Sequence, residues 1–150
     1  MVVVDAAQPG EADALTVLAL ASKRHWGYDD EFMTRCEAEL TVHESDLSTH
    51  EVFVARDGNA VLGFYLLIAR GTEVAELDML FVEPGSIGTG VGRELLHHAL
   101  AVARATGCTH VRVTSDPFAA PFYERGGARV IGSARSGSTG RELPLYEFAL

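Results

Sequence analysis

The feature that most constrains this chain is a strand pattern that leads into a glycine-rich turn and then a long amphipathic helix. Residues 73–82 are mostly apolar with alternating acidic positions, which predicts a strand, and Pro84 ends it. Residues 85–92 read GSIGTGVG, and apolar residues then recur at helical spacing as far as Thr106. Because the first N–H groups of a helix lack intrahelical partners, this arrangement predicts a turn that can bind an anion through its backbone.

The glycine spacing by itself leaves several kinds of turn open. It is not a P-loop, because no Gly-Lys-Ser or Gly-Lys-Thr follows. It is a poor dinucleotide fingerprint, since the segment comes after antiparallel hairpins and its spacing is Gly-x-Gly-x-Gly. An ordinary strand-to-helix turn, with glycines for tight packing, explains the pattern equally well. A nucleotide-binding module also stays open as an alternative.

The rest of the chain predicts a mixed α/β fold. Strand patterns lie at Val2–Val4, Glu51–Arg56, Ala60–Arg70, Glu73–Val82, His110–Thr114, Arg129–Ser133 and Leu143–Phe148. Helical patterns lie at Ala14–Ser22, from Asp29 or Asp30 to Cys36, and at Glu44–Leu47, Gly90–Thr106 and Ala119–Arg125. We expect one domain over residues 1–150, with a mostly antiparallel sheet of six to seven strands flanked by helices. The strand pair around the glycine-rich helix should run parallel.

Alternation along the strand before the glycine-rich turn assigns its side chains to two faces. One face should carry Leu77, Met79 and Phe81. The other should carry Glu76, Asp78, Leu80 and Val82.

Composition and charge exclude several classes of function. The chain has 150 residues and a formal net charge of −9, which would repel a phosphate backbone, so we expect no nucleic-acid partner. No segment approaches about 18 consecutive apolar residues, so we expect no membrane span. The start lacks the features of a secretory signal. Cys36 and Cys108 have no metal-ligand spacing, so we expect buried thiols, no metal and a cytoplasmic location.

Two segments in the same order resemble the GCN5-related N-acetyltransferases. The strand end Val82-Glu83-Pro84, followed by Gly90 and Gly92, is similar to that family's Gln/Arg-x-x-Gly-x-Gly/Ala motif, except that Ile87 stands where the family has Gln or Arg. Residues 116–128, DPFAAPFYERGGA, are similar to its Asn-x-x-Ala-x-x-Phe-Tyr-Glu segment, with Asp116 in place of Asn. The resemblance covers residues 52–150 well and the first 50 residues only in the order of elements.

The resemblance implies an acetyl-CoA site at the turn. Its pyrophosphate would meet backbone N–H groups of Gly88, Thr89, Gly90, Val91, Gly92 and Arg93. Its pantetheine arm would pair with the backbone of Leu80, Phe81 and Val82 as an added strand does. Asp116 is assigned to the same cofactor. Because Ile87 offers no polar side chain, binding should rest mainly on the backbone.

The resemblance also implies the transfer of an acetyl group to a primary amine by direct attack in a ternary complex. Tyr123 would be the general acid, and Glu76 or Asp78 the general base; a core tyrosine and solvated strand charges are the alternatives. Trp26 and Tyr28 would cover the amine by cation–π contact, unless they are core aromatics. The acceptor is a small-molecule or protein amine, and a homodimer is common in the family. A catalytically silent acyl-CoA-binding regulator is the alternative function.

Overall fold

The computed structural model describes residues 1–69, 71 and 73–150. In this part of the chain the strands are β1 (Val2–Ala6), β2 (Glu51–Asp57), β3 (Ala60–Ile68), β4 (Val74–Val82), β5 (His110–Thr114), β6 (Arg129–Arg135) and β7 (Glu142–Ala149). The helices are α1 (Ala12–Arg24), α2 (Asp30–Cys36), α3 (Glu44–Thr49), α4 (Val91–Ala105) and α5 (Ala120–Arg125). The order of elements is the predicted one, and their ends differ from the prediction by a few residues. The predicted strand end at Arg70 and the turn at Thr72 lie outside the described residues.

All seven strands form one sheet in the order β1-β2-β3-β4-β5-β7-β6. Every neighbouring pair is antiparallel except β4 and β5, which are parallel. This confirms the predicted mixed, mostly antiparallel sheet and its parallel pair. The β4–β5 pairing covers only Val74–Glu76 against His110–Arg112, so the two strands part beyond Glu76. The gap between them is where the candidate site lies.

A hydrophobic core covers each face of the sheet. On one face, α4 packs Leu95 and Leu96 against Tyr65 and Leu67 of β3, and all four side chains are buried. On the other face, Leu15 of α1 packs into a second cluster with strand and α2 residues. Burying each of these large side chains stabilises the fold by about 1.5–3 kcal/mol. The two cores hold the gap between β4 and β5 in a rigid frame.

The predicted assignment of β4 side chains to the two faces of the sheet is wrong at the centre of the strand. Leu77 packs in the α4 core and Met79 in the α1 core, although the alternation placed them together. The cause is a β-bulge: Leu67 of β3 pairs with Leu77, and Leu66 pairs with Met79, so Asp78 has no partner on β3. An extra residue in one strand reverses the facing of all later residues in that strand. Leu80 and Val82 accordingly lie on the α4 face with Leu77, and Phe81 lies with Met79.

Two kinds of feature are absent from the described residues. No helix in that part of the chain is both long and apolar enough to cross a membrane. Nor do His, Cys, Asp and Glu side chains there form a group of three or more that could hold a metal ion. Cys36 and Cys108 are both buried, and the Cys108 Sγ lies 3.6 Å from the Thr106 hydroxyl oxygen.

Candidate active site

A cleft of about 1480 Å³ opens where β4 and β5 part. Its walls come from the second half of β4, the start of α4, the segment from β5 into α5, the connection between α2 and α3, and the loop between β6 and β7. The two motifs that the sequence singled out, in residues 82–92 and 116–128, therefore meet in one cavity. Concave sites of this kind are where proteins hold small-molecule ligands.

The glycine-rich turn forms one end of the cleft. Gly88 and Gly90 have φ values of +83° and +94°, and a Cβ atom built on either would meet nothing within 4 Å. Gly90 is the N-cap of α4, and no side chain caps this helix among the described residues. Its first-turn N–H groups thus carry the partial positive charge of a helix start toward open space. This geometry fits an anionic group such as a pyrophosphate.

Most residues assigned to the cofactor line the cleft: Leu80, Phe81, Val82, Gly88, Gly90, Gly92, Arg93 and Asp116. Thr89 and Val91 are not in its lining. The Thr89 N–H donates to the Ser86 carbonyl at 3.2 Å, and the Val91 side chain is buried in the α4 core. Arg125, which sequence reasoning missed, also lines the cleft and adds a second cation to it. The position of Arg125 in the cleft depends on how α5 packs on α4.

The edge of β4 that faces β5 is unpaired beyond Glu76. On the other edge, Leu80, Phe81 and Val82 pair with β3. Backbone N–H and C=O groups on the open edge point into the cleft and can pair with an extended amide chain. The gap therefore offers the kind of edge that the pantetheine prediction requires.

The two candidate bases lie in different cavities. Asp78, at the bulge, lines the large cleft. Glu76 lines a smaller cavity of about 280 Å³ together with Arg112. Asp78 is accessible from the cleft, but the protein around its carboxyl removes part of the water that would stabilise the charged form. This desolvation raises the pKa of Asp78, and the nearby charges of Glu76 and Asp46 raise it further. Of the two carboxylates, Asp78 has the better position to take a proton from a group in the cleft.

Tyr123 of α5 is 5% exposed and lines the same cleft. Its ring is edge-on to Phe122 and Phe148, which fix its orientation. Burial raises the pKa of Tyr123 above its ordinary value, so the phenol keeps its proton at neutral pH. The residue can therefore donate a proton within the cleft.

The end of the cleft beyond Asp78 is acidic. Glu39 and Asp46 line it, and both lie near enough to Asp78 to raise its pKa. Sequence reasoning missed these two residues, because they come from the connection after α2 and from α3, and no local pattern indicates where these pack. Arg93 and Arg125 line the same cleft and bring positive charge to it.

Trp26 and Tyr28, assigned to the acceptor, have different surroundings. Trp26 lines the cleft and stacks on Phe118 with ring centroids 5.3 Å apart. Tyr28 is not in the lining; it stacks on Phe32 at 4.0 Å, and the guanidinium of Arg141 lies 5.2 Å from its ring centroid. The protein's own cation therefore makes the contact to Tyr28 that we predicted for a substrate amine.

A mixed sheet that parts between β4 and β5, beside a glycine-rich helix start, defines the acyl-CoA N-acyltransferase class of folds. The sequence leads to the same class: a sequence model of the Acetyltransferase (GNAT) family matches residues 17–128. The chain belongs to this family.

Relatives and solved structures are consistent with this membership. The peptidyl-lysine N-acetyltransferase YjaB of Escherichia coli is 34% identical over 88 residues, which cover 59% of this chain and 55% of YjaB. The chain thus matches about half the length of its curated relatives. The crystal structure of the PaiA N-acetyltransferase of Thermoplasma acidophilum in complex with coenzyme A aligns with a TM-score of 0.83 and 17% identity, covering 100% of this chain and 99% of that one. The structure of YncA of Salmonella typhimurium with acetyl-CoA aligns with a TM-score of 0.71 and 19% identity, covering 100% and 94%. At these identities the structures establish the fold.

Proposed function

We propose that this protein is an N-acetyltransferase that moves an acetyl group from acetyl-CoA to a primary amine by direct attack in a ternary complex. The observation that carries the proposal is that one cleft is lined by the glycine-rich turn, Tyr123 and Asp78. An anion site, a proton donor and a proton acceptor are the groups that this reaction needs. The family membership of the chain supports the same reaction.

In this proposal the protein holds acetyl-CoA mainly through its backbone. N–H groups from Gly88 and from Gly90 to Arg93 receive the pyrophosphate, and the unpaired edge of β4 at Leu80–Val82 receives the pantetheine amides. The open space where a Cβ would stand at Gly88 and Gly90 supports a close approach of phosphate oxygens. Arg93 and Arg125 add positive charge at the same end.

Asp78 and Tyr123 would carry out the proton transfers of the reaction, as general base and general acid. Asp78 takes one from the incoming ammonium, directly or through water, and its raised pKa makes it a stronger base than an ordinary aspartate. Bound acetyl-CoA supplies the thioester, so that a C–N bond forms as the C–S bond breaks. Tyr123 gives its phenolic proton to the leaving sulfur, and the nitrogen loses its second proton to solvent.

The charge of the acceptor end supports a cationic acceptor. Glu39, Asp46 and Asp78 would attract an ammonium group and repel an anion. The curated relatives are called peptidyl-lysine N-acetyltransferases, and a lysine side chain fits a cleft of this polarity. We therefore choose a lysine-containing peptide as the first acceptor to test.

Release of free thiol from acetyl-CoA, measured over a panel of amines with the lysine peptide among them, tests the proposal. Turnover with any primary amine, and mass spectrometry of the acetylated product, would support it. Coenzyme A binding without turnover over the whole panel would instead favour the silent acyl-CoA-binding regulator. Binding of ATP or NAD without binding of coenzyme A would indicate a nucleotide-binding module.

The proposal treats residues 1–150 as one catalytic unit, because β1 to β7 form one sheet. The cytoplasmic location and the homodimer stay predictions. Sedimentation of the purified chain tests the second of these.

A further inference from the structure

The carboxylate of Asp116 is surrounded by donors from distant parts of the chain. Its Oδ2 atom accepts a hydrogen bond from the Tyr28 hydroxyl at 2.8 Å and lies 3.1 Å from Lys23 Nζ and 3.5 Å from a guanidinium nitrogen of Arg141. Its Oδ1 atom accepts from the Phe118 N–H at 2.9 Å. The side chains of Asp116 and Lys23 are only 12% and 13% exposed, so water screens this pair weakly. Three donors thus surround Oδ2, and one backbone N–H donates to Oδ1.

These donors come from different elements that contribute to the cleft wall; Lys23 itself lines the cleft, whereas Tyr28 and Arg141 lie behind its lining. Lys23 lies in the last turn of α1, Tyr28 precedes α2, and Arg141 closes the loop between β6 and β7. Asp116 itself starts the turn into α5, where its backbone carbonyl accepts from the Ala119 N–H at 2.9 Å. One carboxylate therefore joins the helix that carries the proposed acid to the elements that border the acceptor end.

The loop between β6 and β7 has a second attachment on the same side. The Ser138 N–H donates to Glu39 Oε1 at 3.1 Å, and Glu39 lines the acceptor end of the cleft. Arg141 also donates to the Tyr28 hydroxyl at 2.9 Å. The wall formed by this loop is thus fixed at one point by Glu39 and at another by the Asp116 group.

The charge of Asp116 distinguishes it from the asparagine that the family resemblance expects at this position. An amide can donate a hydrogen bond to a carbonyl or phosphate oxygen, whereas an ionised carboxylate only accepts. Burial alone would raise the pKa of Asp116, but hydrogen bonds from Phe118 and Tyr28 and the charge of Lys23 outweigh it and hold the pKa below its usual value. An ionised carboxylate cannot donate to the polar atoms of acetyl-CoA.

We infer that Asp116 is a positioning residue that fixes the acceptor wall of the cleft to α5, and that its side chain is not a cofactor ligand. The inference rests on the proposed function only in naming one end of the cleft the acceptor end. Lys23 and Arg141 explain why an aspartate stands here, since both cations would lose their counter-charge beside an asparagine.

The variant Asp116→Asn tests this directly, because the amide keeps the shape and an acceptor oxygen but loses the charge. Calorimetry should give a dissociation constant for coenzyme A within about twofold of wild type, since phosphate contacts come from the backbone of another segment. Hydrogen exchange at the amides of residues 136–140 should become faster. Trp26, the only tryptophan of the chain, stacks on Phe118 next to the group, so its fluorescence emission should shift. These three measurements need no turnover.

With the lysine peptide as acceptor, Asp116→Asn should raise KM for the peptide about tenfold, which is the value of one charge-assisted hydrogen bond. KM for acetyl-CoA should not change. Lys23→Met should raise the peptide KM as well. The double variant should raise the peptide KM by less than the product of the two single effects, because both substitutions remove the same ion pair.

Glu124→Gln provides the matched control. Glu124, on α5, is also a carboxylate that accepts from a tyrosine hydroxyl, that of Tyr146 at 2.9 Å, but it is not part of the cleft lining. This variant should leave the exchange of residues 136–140 and the Trp26 emission as in wild type. The inference is overturned if Asp116→Asn weakens coenzyme A binding more than tenfold while exchange in the loop is unchanged. Wild-type protein that binds coenzyme A without turnover would instead contradict the proposed function. The binding, hydrogen-exchange and fluorescence measurements would then still test the role of Asp116.

Discussion

Glu76 and Asp78 are separated by one residue on β4, yet Asp78 lines the large cleft while Glu76 lines a smaller cavity beside Arg112. The bulge at Asp78 turns that side chain away from the regular pleat of the strand. The two carboxylates still interact, because the charge of Glu76 contributes to the raised pKa of Asp78. Their roles in catalysis should therefore be separable.

We expect Asp78→Asn to lower kcat/KM about 10²-fold at neutral pH, the usual contribution of a general base. In the wild type, kcat/KM should fall as the pH drops through the raised pKa of Asp78, which lies above the ordinary value of 3.8. The variant should lack this acid limb. Glu76→Gln should keep turnover and move the limb to lower pH, because it removes one charge that raises the pKa of Asp78. Initial rates between pH 5 and 9 would measure both; a wild-type profile for Asp78→Asn would contradict the assignment.

Tyr123→Phe should lower kcat about 10²-fold, because the proposed proton donor is lost while the ring that packs the core is kept. Coenzyme A binding by calorimetry should be unchanged. Tyr146→Phe is the matched control, since Tyr146 is also buried, but its hydroxyl donates to Glu124 and it does not line the cleft. Equal turnover in Tyr123→Phe and Tyr146→Phe would remove Tyr123 from the mechanism.

The glycine-rich end of the cleft could be anticipated from the sequence, because its groups are local, and its binding of the cofactor stays a prediction. The strand, the glycine-rich turn and the helix start are continuous in the chain, and their geometry comes from backbone preferences. The same holds for Tyr123, which lies in a recognisable segment. The element order and the parallel β4–β5 pair were also predictable.

The acceptor end was not predictable, since its residues come together only through tertiary packing. The bulge at Asp78 arises from the register between β3 and β4, and a one-residue change in register moves side chains to the other face. Glu39 reaches the cleft from the connection after α2, whose position is set by the core against β3 and β4. Tyr28 lies 88 residues from Asp116 in the sequence, and Lys23 lies farther away still. No local sequence pattern can relate residues at such separations.

Gly90→Val should weaken coenzyme A binding about tenfold or more, because its side chain would fill the open space at the helix start and displace a phosphate hydrogen bond. Gly107, just beyond the other end of α4, has nearly the same backbone, with φ +93° and open space around a Cβ. Gly107→Val therefore controls for backbone strain, which costs about 1–2 kcal/mol in either variant. Calorimetric titration with coenzyme A would compare them. Equal affinities for both variants would contradict the phosphate site at Gly90.

The part-buried contact between Tyr65 and His98 should make stability depend on pH. Their hydroxyl oxygen and Nδ1 atom are 2.7 Å apart, and burial lowers the pKa of His98 below 6.5. The folded state thus favours the neutral ring, whose Nδ1 atom shares a hydrogen bond with the Tyr65 hydroxyl. Because the unfolded chain binds this proton more readily, the stabilising contribution is present above pH 6.5 and is lost as the pH falls from there through the lower folded pKa.

Urea unfolding at pH 7.5 and at successive values down to pH 5 would measure this dependence. In His98→Gln, the decrease in the free energy of unfolding that begins near pH 6.5 should be absent. His97→Gln, at an exposed position of the same helix, should still show this decrease. Tyr65→Phe should lower the free energy of unfolding at pH 7.5 by about 1 kcal/mol, the net value of one hydrogen bond. If His98→Gln and wild type lost stability in parallel over this range, the proton would not be taken up at His98, and the contact to Tyr65 would play no part in the pH response.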